Sequence, residues 1–315
     1  MVEQKNRRSK KEIHVSVFAN EAIESMNIKS GSVVADLTFG AGDHSRKIIQ
    51  TIGGDGRLLA VDRDQSIIDQ VQTEFDKKNV VLVCDRFSNL KNIAKNHDFI
   101  FFDAILLDLG ISSWQLDNND RGFSYSSKAS LDLRMGEGGL TAAKILNEYS
   151  EEKLAQIFWS YADIERSRQL AKRIVQARII NNFEYTTDLK DLLDGWLNWA
   201  EKKRNYYGRV WQALRMEVND ELGEIEQGLS QAVDLLKNDG RLVVISFHSK
   251  EDRLVKKFMS DCAKGCVCPK EFPECICGHR STLKVLTKKP IIPTKKELEY
   301  NIRSHSAKMR VGVKI

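Results

Sequence analysis

Runs of consecutive apolar residues alternate with helical patterns in the first third of the chain. These runs cover residues 32–36, 56–62, 80–83 and 104–107. Because their apolar positions do not alternate with polar ones, the runs are typical of strands that are buried on both faces. Strands that alternate with helices predict a parallel sheet joined by right-handed crossovers.

The pattern changes between about residue 114 and residue 208, where helical spacing replaces the apolar runs. One long helix is predicted over residues 211–236, and the run 241–247 then restores the strand pattern. Segments 283–286 and 308–313 are expected to form an antiparallel edge. We therefore predict an α/β fold, a Rossmann-like sheet interrupted by an inserted α-helical domain.

The chain of 315 residues is long enough for one large domain or two ordinary ones. The two patterns divide it into a discontinuous domain, residues 1–113 and 209–315, and a helical insert, residues 114–208. No apolar run reaches the roughly 18 residues that span a bilayer. The N-terminus is charged and lacks the apolar core of a secretion signal. These features predict a cytoplasmic protein without a membrane partner.

The chain is mildly basic, with a formal net charge of +5 and a pI of about 8.7. Clustered cations favour nucleic acid as a partner, because each phosphate that they neutralise releases counterions. Runs of lysine also occur on solvated faces, and the sequence leaves both interpretations open. The clusters are Arg7, Arg8, Lys10 and Lys11; Lys202, Lys203 and Arg204; and Lys288, Lys289, Lys295 and Lys296.

Acidic residues follow the first four predicted strands, namely Asp36, Asp62, Asp85 and Asp108. Ligands of open α/β sheets bind outside the carboxyl ends of the strands. An acid there can accept hydrogen bonds from ribose hydroxyls, and Gly40 and Gly42 in the first turn would let a ligand approach the backbone. The pattern predicts a nucleoside pocket, although glycine and aspartate are also common turn residues.

The first strand-to-helix turn reads G-A-G-D-H-S and lacks the third glycine of a dinucleotide fingerprint. Asp43 in this turn would place a negative charge beside a phosphate, which disfavours an anionic ligand. S-adenosylmethionine, whose sulfonium and ammonium are cationic, fits better. Phe87 is predicted to supply an apolar wall for its adenine.

Five blocks of sequence occur in a specific order: 108–113 with 115–117, 120–125, 131–135, 212–222, and 240–253. Together they resemble the bacterial 16S rRNA (cytosine-N4) methyltransferases, the small-subunit rRNA methyltransferase H or MraW family, from His14 to Arg310. The resemblance implies a class I methyltransferase sheet with S-adenosylmethionine as cofactor. It implies methylation of the exocyclic N4 amine of a cytidine in the decoding region, cytidine 1402 in the family convention.

The same resemblance implies that the partner is 16S rRNA in the small ribosomal subunit. The sequence leaves open whether the substrate is naked RNA or an assembled subunit. It also leaves open the oligomeric state, including a dimer. The helical insert would help to recognise the substrate. The cofactor contacts, carried over by position, are Gly42, Asp43, His44, Asp62, Phe87, Asp108 and Gln115.

The first turn departs from the glycine-rich pattern of this family at Ala41 and Asp43. Asp43 would either pair with the methionine ammonium or crowd it. This residue keeps open a non-catalytic RNA-binding or ribosome assembly factor on the same fold. An NAD(P)-dependent oxidoreductase is a weaker alternative, because the third glycine is missing.

A cytosine amine is a poor nucleophile because its lone pair is delocalised into the ring. An acceptor for the amino hydrogens would direct that lone pair toward the methyl group and stabilise the charge that develops. Asp108 is predicted in this catalytic role, with cofactor binding alone as the alternative. His248 is predicted to accept the released proton, or to be a structural group. Trp114 and Phe123 are candidates for stacking on an extruded base, or for packing.

Five of the six cysteines lie between Cys262 and Cys277, and His279 follows. The spacing C-x3-C-x-C-x6-C-x-C fits one zinc ion poorly, because structural sites favour pairs separated by two to four residues. Cytosolic cysteines are normally reduced. The sequence by itself therefore favours a reduced, thiol-rich loop over a structural metal, assigns no metal ligand, and leaves open whether the cluster binds metal.

Overall fold

The structure, a computed structural model, describes residues 16–112, 115, 119–199, 202, 205–266, 268, 272, 274, 276–278 and 280–315. Several sequence predictions lie outside these residues. They concern the basic cluster 7–11, Trp114, the pair 203–204, Cys275 and His279.

A seven-stranded sheet with the order β3-β2-β1-β4-β5-β7-β6 forms the centre of the molecule. The first five strands are parallel, whereas β7 runs antiparallel to both β5 and β6. The predicted strands and the antiparallel edge are confirmed, and β5 begins five residues earlier than the sequence pattern indicates. The strands are β1 Val33–Asp36, β2 Arg57–Asp62, β3 Val80–Cys84, β4 Phe102–Asp108, β5 Leu236–Ser246, β6 Leu283–Val285 and β7 Lys308–Lys314.

The helices around the sheet begin and end as follows: α1 Ala19–Met26, α2 Asp43–Ile52, α3 Gln65–Phe75, α4 Leu90–Asn96, α5 Ala142–Glu148, α6 Glu151–Ala162, α7 Ser167–Arg178, α8 Thr186–Asp194, α9 Tyr206–Asn219, α10 Glu221–Leu235, α11 Ser249–Cys262 and α12 Lys295–Tyr300. Within the described part of the chain, none of them combines the length and apolar character needed to cross a membrane.

Both faces of the sheet are covered, which explains why its strands are apolar without alternation. Ile105 and Leu107 pack into one core with α4, α10 and α11. Ala104 and Leu106, which point to the opposite face, pack into another core with α1 and α2. The loops that follow β1, β2 and β4 are therefore held on a rigid, fully buried platform.

A third core lies among the helices of residues 123–214. Its members include Ile157 and Phe158 of α6, and Val210, Trp211 and Leu214 of α9. Helix α9 runs across the predicted boundary between residues 208 and 209, so it belongs to the helical core and leads back to the sheet. The division into two domains stays a prediction.

The prediction of one long helix over residues 211–236 is wrong. Helix α9 ends at Asn219 and α10 begins at Glu221, because Asp220 between them adopts a left-handed conformation with φ of 48°. The Asn219 side chain accepts a hydrogen bond from Met135 N–H (2.9 Å) and donates one to the Leu133 carbonyl (2.8 Å). These long-range contacts fix the break at this point, which the apolar spacing does not show.

Candidate active site

A cleft of about 800 Å³ opens where the parallel strands end, between the sheet and the helical core. Three of the four predicted acids, Asp62, Asp85 and Asp108, line it. The fourth, Asp36, does not: it is buried below the cleft and accepts a hydrogen bond from Ser45 Oγ of α2 (2.7 Å). The expectation of a ligand-facing role for Asp36 is therefore wrong, and its carboxylate anchors α2 to β1.

The glycine turn brings Gly40 and Ala41 to the cleft, but not Gly42. Gly42 lies at the N-terminus of α2 with φ of 82°, and a Cβ there would approach the Phe75 ring to 2.5 Å. The residue must be glycine because of its backbone and its contact with Phe75. The structure thus places this predicted cofactor contact behind the lining of the cleft.

Asp43 lies in the first turn of α2 and lines the cleft. Its Oδ1 pairs with the Arg46 guanidinium (2.8 Å), and its Oδ2 accepts a hydrogen bond from Ser16 Oγ (3.2 Å). A negative charge is also favourable at a helix N-terminus. The Asp43 carboxylate, which departs from the family pattern, is therefore held by Arg46 and Ser16.

Asp62, at the end of β2, is fixed by two backbone groups. Its Oδ2 accepts a hydrogen bond from Gly40 N–H (2.7 Å) and its Oδ1 accepts one from Asp64 N–H (2.9 Å). Burial raises the pKa of Asp62 to about 6, although both hydrogen bonds lower it. The result is a rigid acceptor of the kind that a ribose diol requires.

Phe87 lines the cleft and packs against α10 at Gly228. A Cβ at Gly228 would lie 2.4 Å from Cδ2 of the Phe87 ring. The glycine therefore lets α10 approach the ring closely, and the helix supports the predicted adenine wall from behind.

Gln115 also lines the cleft, but its amide is used to hold the loop after β4. Its Nε2 donates to Asp64 Oδ2 (3.1 Å), and its Oε1 accepts from Ser112 N–H (3.1 Å). Asp64 in turn pairs with Arg121 (2.9 Å), at the start of the helical region. These contacts indicate that Gln115 positions the loop and connects both sides of the cleft.

Asp108 lies at the end of β4, near the middle of the cleft. Its backbone N–H donates to Thr38 Oγ1 (2.6 Å), and its Oδ2 lies 3.4 Å from Nε2 of His44. The other carboxylate oxygen, Oδ1, is buried and has no hydrogen-bond partner among the described residues. The side chain as a whole is 21% exposed and lines the cleft, so its carboxylate is within reach of a ligand donor there.

His44 is buried beneath Asp108. Burial by itself lowers the pKa of His44, but its contact with Asp108 and the charges of Asp108, Asp36 and Asp43 raise it above the ordinary value. The imidazole lies against the Asp108 carboxylate and also lines the cleft, and its contact with a cofactor stays a prediction.

His248 lines the cleft, yet it is also the N-cap of α11. Its Nδ1 accepts a hydrogen bond from Glu251 N–H (3.4 Å), and its Nε2 lies 3.1 Å from Glu251 Oε1. Burial raises the pKa of Glu251, but the His248 contact and the hydrogen bond from Phe247 N–H bring it below its ordinary value. Both ring nitrogens of His248 thus face the first turn of its own helix, and proton acceptance stays a prediction.

The far half of the cleft is lined by residues from the helical core that the sequence analysis gave no role. Tyr125 stacks on Tyr207 with ring centroids 5.6 Å apart and meets Trp211 edge-on. Arg215 forms two hydrogen bonds with Glu221 across the break between α9 and α10 (2.7 and 3.0 Å). Arg215 lies in the block 212–222 that carries the family resemblance, and this is the signal in the sequence that points to it. Phe123 lines the cleft and is also buried in the helical core, so its predicted alternatives, stacking and packing, both stay open.

Comparison with known proteins identifies the family. The sequence profile of the MraW methylase family matches residues 11–315. A protein named ribosomal RNA small subunit methyltransferase H from Caldicellulosiruptor saccharolyticus is 41% identical over 304 residues, which cover 96% of this chain and 99% of the relative. The protein of the same name from Carboxydothermus hydrogenoformans is 42% identical over 311 residues, covering 96% and 98%.

Among solved structures, an rRNA methylase from Streptococcus thermophilus shares 9% identity and a TM-score of 0.41, covering 94% of this chain and 93% of that one. The predicted family, the Rossmann-like methyltransferase sheet and S-adenosylmethionine as cofactor are confirmed. The chain belongs to the MraW methylase family.

Proposed function

We propose that this methylase transfers a methyl group to the exocyclic N4 amine of a cytidine in 16S rRNA, cytidine 1402 in the family convention. The names of its relatives, small subunit rRNA methyltransferases, support the substrate class. The observation that carries the proposal is that the Asp108 carboxylate lines one cleft together with an acidic half, Asp43, Asp62 and Asp85, and an aromatic half, Phe123, Tyr125 and Trp211.

The acidic half fits S-adenosylmethionine. The whole cleft has a volume of about 800 Å³, which lies in the range of roughly 300–1,000 Å³ that is usual for small-molecule sites. Asp62 would accept the ribose hydroxyls, Phe87 would cover the adenine, and Asp43 would favour the cationic amino acid end. When bound, S-adenosylmethionine supplies the methyl group.

The aromatic half fits a base that has left its stack. Phe123, Tyr125 and Trp211 offer apolar and aromatic surface on the side of the helical core. Stacking of a base on an aromatic side chain contributes about 1–3 kcal/mol, which offsets part of the few kcal/mol that extrusion costs. The helical core would in this way recognise the substrate, which is the role that the family resemblance implies for the helical insert.

Asp108 connects the two halves. Its carboxylate would accept a hydrogen bond from the N4 amino group, holding the nitrogen so that its lone pair faces the methyl group. As N4 gains the methyl group it becomes cationic and must lose one proton, and a carboxylate stabilises that charge and can receive the proton. Positioning of this kind contributes roughly 7–11 kcal/mol in favourable cases.

The rival functions lose their support. Membership in a methylase family argues against an NAD(P)-dependent oxidoreductase. A non-catalytic assembly factor was kept open by Asp43, whose carboxylate is held by Arg46 and Ser16. The charge of Asp43 is therefore no obstacle to cofactor binding.

The test is methylation of small ribosomal subunits, and separately of naked 16S rRNA, with isotope-labelled S-adenosylmethionine. Nucleosides are then identified by mass spectrometry. We expect N4-methylcytidine at one position, and no incorporation into subunits that already carry this modification. Label in another base, at C5 or N3 of cytosine, or no label at all, would contradict the proposal.

A further inference from the structure

Three cysteine side chains converge in the loop between α11 and β6, outside the cleft. The sulfur atoms of Cys266, Cys268 and Cys277 all lie within 4.8 Å of one another. The Cys266 and Cys277 sulfurs are 3.8 Å apart. Two thiolates on one tetrahedral zinc ion, each about 2.3 Å from the metal, are separated by about 3.8 Å. The spacing of these sulfurs is therefore that of two corners of a zinc–thiolate tetrahedron.

The backbone supports a thiolate at the same place. The N–H of Cys268 donates to the Cys266 sulfur at 3.4 Å. Hydrogen bonds to the ligating atoms orient them and are a regular feature of metal sites. The C-x-C pair Cys266 and Cys268, whose spacing looked unsuitable for zinc in the sequence, thus places both of its sulfurs near that of Cys277.

Apolar packing does not account for this convergence. None of the described residues in the loop 263–282 is buried. Its large apolar residues point outward, with Phe272 47% and Ile276 75% exposed. Cysteine is ordinarily among the most buried residues, so exposed cysteines brought together without a core need another source of order. A metal ion supplies such order in small segments that lack a core.

We propose that Cys266, Cys268 and Cys277 bind a transition-metal ion of the Zn²⁺ class, which orders the loop between α11 and β6. Thiolate ligands are soft and select zinc over magnesium or calcium. The ion would close a segment whose base is already joined by the hydrogen bond from Thr282 N–H to the Cys262 carbonyl (2.9 Å).

The proposed ion has a structural role. Helix α11 begins at the cleft and runs for 14 residues before the loop, which separates the loop from His248 by about 21 Å along the helix. The neighbouring thiol of Cys262 is half-buried, and burial raises its pKa, so it is suited to remain a neutral packing group. The site is therefore independent of the methylation chemistry.

The test measures metal content directly. Full-length protein without a histidine tag, purified under reducing conditions without chelators, is analysed by mass spectrometry for bound metals. We expect about one zinc ion per chain. The double variant Cys266→Ser/Cys277→Ser should lose it, whereas Cys84→Ser, which alters an exposed cysteine at the end of β3, should retain it.

A second measurement does not depend on the variants folding. Metal-free wild-type protein is reconstituted with Co²⁺, which gives an intense sulfur-to-metal charge-transfer band when several thiolates bind. We expect this band in the wild type and in Cys84→Ser, and its displacement by Zn²⁺. Zinc-free protein with no cobalt band would overturn the proposal, as would metal that the double variant retains or a disulfide that persists under reducing conditions.

Discussion

The Nε2 atom of His44 lies 3.4 Å from Oδ2 of Asp108, and the imidazole is almost completely buried. The contact lies at Oδ2 of the carboxylate, whereas Oδ1 is buried and has no hydrogen-bond partner among the described residues. The two residues come from different loops, His44 from the first turn of α2 and Asp108 from the end of β4. Their contact therefore joins the first turn of α2 to the end of β4 at the edge of the cleft.

The contact should make stability depend on pH. The pKa of His44 is raised above its ordinary value of 6.5, so the folded state holds the proton more tightly than the unfolded state does. This contribution is fully present below pH 6.5 and is lost as the pH rises through the folded value. In urea titrations, His44→Gln should be less stable than the wild type by about 1–3 kcal/mol in mildly acidic solution, and the difference should shrink at higher pH. His97→Gln, which alters an exposed histidine after α4, is the control. If the stability difference between His44→Gln and the wild type does not change with pH, the ion pair of His44 with Asp108 does not stabilise the fold.

Gly228→Ala should weaken cofactor binding without touching the cofactor site directly. The new methyl group would meet the Phe87 ring at 2.4 Å, and overpacking of this kind costs about 1–3 kcal/mol. We expect calorimetry with S-adenosylhomocysteine to show an affinity lower by about tenfold or more. The matched control is Gly54→Ala, where a Cβ meets nothing within 4 Å. Unchanged affinity in Gly228→Ala would mean that Phe87 does not cover the adenine.

His248 can be tested as a helix cap against its predicted role as a proton acceptor. Asparagine is a good N-cap, so His248→Asn should keep both stability and methyl transfer, whereas His248→Ala should lose about 1 kcal/mol of stability. A general base would behave differently, because either substitution would lower kcat by about 10²–10⁴-fold. Single-turnover rates and thermal unfolding of the two variants, measured together, separate these outcomes.

Tyr125→Ala should impair the use of RNA while leaving cofactor affinity unchanged. Loss of one stacking surface costs about 1–3 kcal/mol, so we expect KM for ribosomal subunits to rise about tenfold. Tyr125→Phe keeps the ring that stacks on Tyr207 and loses only the hydroxyl contact with Asn205, and it should resemble the wild type. An equal loss of cofactor affinity in Tyr125→Ala would show that the two halves of the cleft are not separate.

The strand ends illustrate how far the sequence predicts this site. Asp36 and Asp62 both follow an apolar run, and their local sequences give them the same role. What separates them is Ser45, which reaches Asp36 from α2, while Asp62 is bound by Gly40 and stays at the cleft. Sheet geometry could be predicted from periodicity, but the partner of each carboxylate depends on contacts between elements.

Of the aromatic half, the sequence offers only Phe123 as a candidate, and Tyr125 and Trp211 could not be predicted as part of a site. Tyr125 and Tyr207 are separated by about eighty residues and meet only because α9 returns from the helical core to the sheet. The break at Asp220 was missed for a similar reason, since the apolar spacing continues through it and only the contacts of Asn219 reveal it. The metal site proposed in the cysteine loop could likewise not be predicted from the spacing in the sequence, because it depends on the positions of three sulfur atoms.

The most direct test of the account compares two aspartates of the same strand. Asp108 lies at the cleft end of β4, whereas Asp103, near the other end, accepts a hydrogen bond from Val33 N–H (2.7 Å) and pairs with Lys237 (2.8 Å). Single-turnover methylation of small ribosomal subunits is measured for Asp108→Ala and Asp103→Ala, with circular dichroism to confirm folding. We expect Asp108→Ala to lower the rate by at least about 10²–10³-fold, the size associated with one preorganised electrostatic contact, and Asp103→Ala to keep the wild-type rate. A folded Asp108→Ala that methylates at the wild-type rate would contradict the central claim.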